Sequence, residues 1–156
     1  MGCLVAGILA AVLHAPILEN MASVLVADAA ELSPDTVLIL GGDRSYDKAA
    51  ALMSGDVQYV LLPKSRPGRL ERLGIYQPWE TIGRRELTAR AVPDDKILTI
   101  NGEARNGWHR ARLIDDWLRS HPETTVIVLA DRFGSAAQRY VFDHEIAPAQ
   151  RRRITF

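Results

Sequence analysis

The sequence predicts a three-layer α/β domain, Rossmann-like in class, built on a mainly parallel sheet of about five strands. Two observations carry this. Short runs almost continuous in Val, Ile and Leu, at residues 36–40, 57–62, 97–100 and 126–130, alternate with segments of helical character. That is the pattern of strands covered on both faces by crossover helices. Each run is also followed closely by a cation: Arg44, then Lys64 and Arg66, then Arg105, then Arg132. Parallel strands bring their carboxyl ends to one edge, where open sheets bind ligands.

The elements follow in order. Gly41-Gly42 ends the first strand, and a helix is expected over residues 45–53, rich in Ala and stopped near Gly55, with Asp43 as its N-cap. The second strand leads into a turn-rich basic stretch, residues 63–70. Pro78 suits the first turn of a helix running to about residue 90, and residues 92–95 form a turn before the third strand. Residues 106–120 give the clearest helix. Its apolar stripe is Trp108, Ala111, the stem of Arg112, Leu113, Ile114, Trp117 and Leu118, and His121-Pro122 ends it. After the fourth strand, residues 135–144 read as a helix capped by Ser135, and residues 154–156 as the start of a fifth strand. The abrupt end there suggests a piece of a longer protein.

Two parts are expected: an apolar amino-terminal helix within residues 1–26, and the α/β domain over residues 33–156. Residues 3–13 are wholly apolar, and the character resumes at residues 15–18 after His14. A spanning helix needs about 20 such residues, and no Lys or Arg precedes the run as in a secretory signal. A clipped membrane anchor, a signal-like core and a helix docked on the sheet all remain open readings.

Composition narrows the function. The 156 residues are 47% hydrophobic and 24% charged, which argues against disorder. Nineteen basic residues balance nineteen acidic ones. A protein that works by neutralising a nucleic-acid backbone usually carries a basic excess, so a small anionic ligand is the expected partner and nucleic acid is not. The single cysteine, Cys3, rules out an intrachain disulfide framework, and the four histidines lack metal-ligand spacing, so no metal site is expected.

The candidate ligand residues are Gly41, Gly42, Asp43, Arg44, Lys64, Arg66, Arg105, Asn106 and Arg132. Glycines at a strand-to-helix turn let the backbone approach a ligand, and helix amides there favour an anion. The turn matches neither a dinucleotide fingerprint nor a Walker sequence. A tight turn capped by Asp43 is the plainer alternative. The basic run from Lys64 to Arg72 also suits a solvated loop, with Lys64 and Arg66 nearest the sheet edge. Asn106 reads first as a helix N-cap and second as an amide for a ligand. Glu80 and Glu103 are candidate general bases, although a carboxylate such as Glu80 in a first turn also complements the helix dipole.

With these residues laid out, the chain resembles the YdcF-like family of SanA- and ElyC-type proteins. The resemblance runs from about residue 13 to the end. It rests on residues 35–42 with Arg44 and Ala49-Ala50, on Glu80 at a helix head, and on residues 92–97. It rests further on residues 104–108, similar to the family's S-x-N-T segment, and on Asp131-Arg132-Phe133, where the family writes T-S-x-Y-H-x-x-R-A. The resemblance implies a Rossmann-like domain tethered to a bacterial inner membrane, lying on the outer side; a cytoplasmic location is the alternative. It implies a role in cell-envelope precursor metabolism, with S-adenosylmethionine or a nucleotide as cofactor.

The departures are specific. The expected Ser-Gly-Gly turn is Pro63-Lys64-Ser65, the Ser and Thr around Asn106 are Ala104 and Gly107, and the His and Arg after the fourth strand fall on Gly134 and Ala137. Without that His the sequence leaves three readings open. These are a module binding a phosphorylated or nucleotide-like molecule, a hydrolase or transferase with Glu80 as base, and a degenerate interaction scaffold.

Overall fold

The computed structural model describes residues 34–131 and 133–156. The apolar amino-terminal segment and Arg132 lie outside them. Five strands, β1 (Thr36–Ile39), β2 (Tyr59–Ser65), β3 (Ile97–Ala104), β4 (Val126–Leu129) and β5 (Ile154–Thr155), form one all-parallel sheet in the order β3-β2-β1-β4-β5. Among the described residues, six α-helices accompany it: α1 (Asp43–Leu52), α2 (Arg69–Arg72), α3 (Trp79–Ala89), α4 (Gly107–Ser120), α5 (Ser135–Glu145) and α6 (Pro148–Arg151). The Rossmann-like α/β architecture is therefore present. Among the described residues, no helix is long and apolar enough to cross a membrane.

Alternation along the strands builds two cores. Val37, Ile39, Val60 and Leu62 point to one face and pack with Tyr46 and Ala49 of α1 and Leu87 of α3. Leu38, Leu61, Val126 and Val128 point to the other and meet Ala111, Ile114 and Leu118 of α4 and Phe142 of α5. Each fully buried aliphatic side chain contributes about 1.5–3 kcal/mol. This two-faced burial explains why the strands read as continuous apolar runs.

Several expectations are corrected. β2 does not turn at Pro63 but continues through Ser65. Proline has no N–H for the ladder, and the pairing skips there: Pro63 stands opposite Ile100 while Lys64 stands opposite Glu103. The two extra residues on β3 are Asn101 and Gly102, and Gly102 takes φ +95°, which glycine adopts without steric cost. The N-cap of α1 is Gly42 rather than Asp43, which sits inside the first turn and complements the helix dipole. Gly134, not Ser135, precedes α5. Arg112 is not on the apolar stripe of α4, because its guanidinium turns outward to pair with Glu145. Trp108 is an exposed residue meeting Tyr140 edge-on at 6.2 Å.

Candidate functional site

The strand order reverses at β1. The chain lays β2 and β3 to one side of it, then returns through α4 to lay β4 and β5 on the other. The carboxyl ends of β1 and β4 therefore adjoin at the switch point, where this class of sheet opens its ligand crevice. The junction is tight. Leu40 and Gly41 both donate to the Leu129 carbonyl, at 2.8 and 3.0 Å. A Cβ on Gly41 would lie 3.1 Å from the Asp131 nitrogen. Gly41 is thus required by close backbone approach, whereas nothing lies within 4 Å of a Cβ on Gly42. The Gly42 N–H donates to the Asp131 carboxylate at 3.3 Å, so this amide already faces a negative charge.

Beside this junction is a cleft of about 190 Å³ lined by Ile39, Leu40, Pro63, Ser65, Trp79 and Arg110. It lies over the carboxyl ends of β1 and β2, between the starts of α3 and α4. Its cation is Arg110, half-buried in the first turn of α4. Burial lowers the pKa of this guanidinium from the ordinary arginine value. Nη2 donates to the Gln138 amide oxygen at 3.0 Å, and Nε is enclosed without a partner. No described carboxylate forms an ion pair with it. A carboxylate oxygen is also stranded: Oε2 of Glu80, in the first turn of α3 next to Trp79, is buried without a partner.

None of the described candidate residues from the sequence is among those lining this cleft. Arg44, Arg66 and Arg105 are exposed on three successive β-α junctions. Lys64 is half-buried in β2 across from Glu103. None of these four cations pairs with a described carboxylate. Asn106 spends its side-chain oxygen on the helix, accepting the His109 N–H at 2.8 Å as an N-cap. The Arg105 N–H meets His109 Nδ1 at 3.2 Å. Asp43 is exposed beside Arg44.

Sequence reasoning missed Arg110, Trp79 and Ser65 as lining residues. A signal for Arg110 was present. It lies four and eight residues before Ile114 and Leu118, so it shares their buried face at the end of α4 nearest the sheet edge. A charge on an otherwise apolar stripe is the unusual feature. No family model matches the chain, nor does any curated protein or solved structure.

Proposed function

We propose that the protein binds a small phosphorylated or nucleotide-like molecule through its anionic group, in the cleft over β1 and β2, with Arg110 as the anchoring cation. The observation that carries this is a half-buried guanidinium whose enclosed Nε has no partner and whose Nη2 faces a neutral amide, with no described acid paired to it. Burying an unpaired charge is unfavourable, and an oxyanion that can accept two parallel N–H bonds is the ligand that relieves it. The volume of about 190 Å³ falls below the ~300–1,000 Å³ that encloses a drug-sized ligand. The cleft therefore takes a phosphate-sized group, with the rest of the molecule against Trp79 or outward toward Arg44 and Arg105. The resemblance to YdcF-like proteins adds a phosphate-linked envelope precursor as the class of ligand, and an inner-membrane tether through the amino-terminal segment.

A second reading, hydrolysis or group transfer, draws on the stranded Glu80 oxygen. A carboxylate oxygen enclosed without a partner suits a base once a substrate proton reaches it. A third, the interaction scaffold, predicts no small-molecule binding.

Calorimetric titration of inorganic phosphate, a sugar phosphate and a nucleotide into wild type and Arg110→Met tests the proposal. A charge-assisted contact contributes about 1.5–3 kcal/mol, so affinity should fall roughly 10- to 150-fold in the variant. Equal affinity would remove Arg110 from the site, and absence of binding to wild type would leave the scaffold. Turnover lost in Glu80→Gln with binding retained would mark the enzyme.

A further inference from the structure

Between β2 and α3 the chain carries a surface that the cleft does not use. Among the described residues, the large exposed apolar side chains concentrate in one seven-residue stretch. Leu70 is 46% exposed, Leu73 61%, Ile75 61% and Tyr76 60%. They stand beside a groove of about 430 Å³ whose walls include Leu70, Tyr76, Trp79 and Ile82. Monomeric soluble domains seldom leave so dense an apolar patch uncovered.

The charges around it are one-sided. Lys64, Arg66, Arg69 and Arg72 precede or interleave the patch, and none of them pairs with a described carboxylate. Among the described residues, Arg72 donates only to the Pro67 carbonyl, at 2.7 Å. Elsewhere Arg84, Arg90, Arg112, Arg119 and Arg151 each face an acid. The one acid inside the stretch, Glu71, turns its carboxylate onto the Gly68 N–H. The segment thus offers apolar side chains, an interfacial tyrosine and free cations together.

We propose that residues 64–76 form a peripheral docking surface for an anionic lipid bilayer. Leu70, Leu73 and Ile75 enter the headgroup boundary, Tyr76 lies at its level, and the arginines meet lipid phosphates. Mixed apolar and basic surfaces of this kind bind membranes by apolar burial plus attraction to anionic headgroups. Four cations that pair with no described carboxylate favour the anionic lipid surface. Trp79 lines both the groove and the anion cleft, so docking sets the cleft mouth beside the membrane.

Hydrogen–deuterium exchange on the full chain tests this at the segment itself, because pelleting alone would not separate it from a tether at the amino terminus. Vesicles of phosphatidylcholine mixed with phosphatidylglycerol should slow exchange across residues 66–77, and pure phosphatidylcholine vesicles should not. Leu73→Ser/Ile75→Ser should abolish that protection. Arg69→Gln/Arg72→Gln should weaken it by roughly 25-fold in lipid concentration, about fivefold per charge. Equal protection by both vesicles, or none by the anionic ones, overturns the proposal. So does protection already present without vesicles, which would mean the chain covers its own patch, or protection given only by a lipid-free protein fraction.

Discussion

Arg110 and Gln138 join α4 to α5 by a hydrogen bond of 3.0 Å between a charged donor and a neutral acceptor. An acid at position 138 would satisfy the guanidinium; the amide steadies it without neutralising it. Gln138→Glu should therefore act as a built-in competitor. Phosphate affinity should drop at least tenfold, while the melting temperature of the ligand-free protein stays level or rises. Calorimetry and thermal unfolding on the same preparations check both halves.

The β1–β4 junction should tolerate no side chain at position 41. A Cβ there meets backbone atoms of Ala130 and Asp131 at 3.2 and 3.1 Å, and backbone cannot swing aside as a side chain does. Gly41→Ala should cost about 1–3 kcal/mol in urea unfolding. Gly42→Ala, with nothing near its Cβ, should cost far less.

Asp115 is a buried acid with a structural task. It pairs with Arg119 and accepts the Ala147 N–H at 3.1 Å, holding α4 to the residue that precedes α6. Asp115→Ala should destabilise by roughly 1–3 kcal/mol by leaving that amide without its partner. Asp116→Ala removes an exposed acid that also contacts Arg119, and should change stability by no more than about 1 kcal/mol.

Much of this architecture was legible in the sequence, and the reason is physical. Val37 to Ile39 and Val60 to Leu62 are buried on both sides of the sheet, so their runs are uninterrupted, and the crossovers carry helix formers. The N-cap role of Asn106 was legible because local chemistry decides it. The strand order was not, since nothing local tells β4 to pair with β1 rather than β3. The continuation of β2 past Pro63 was hidden for a related reason: the missing donor is accommodated by a bulge on another strand. The site was half legible. Arg44, Arg66 and Arg105 do follow β-strands, whereas Lys64 lies within β2, and position after a strand does not aim a long side chain. Arg110 reaches the cleft from inside a helix.

Alkaline pH should expose the burial of Tyr46. Desolvation raises its pKa above the ordinary 10.0, the Asp43 and Glu86 carboxylates add to the rise, and Arg90 opposes it. The fold thus favours the neutral phenol more than the unfolded chain does. That contribution is full below pH ~10 and is lost as pH climbs through the higher folded value. In denaturant titrations above pH ~10, wild type should lose stability faster than Tyr46→Phe. Parallel curves would contradict this.

The most direct measurement is nitrogen-15 NMR of arginine side chains during a phosphate titration at constant ionic strength. The Arg110 Nε–H signal is assigned by its disappearance in Arg110→Met. This signal should move and saturate with the dissociation constant found by calorimetry. If Arg110 stays still while the resonances of exposed Arg44 and Arg105 drift without saturating, phosphate is only screening surface charge, and the cleft is not an anion site.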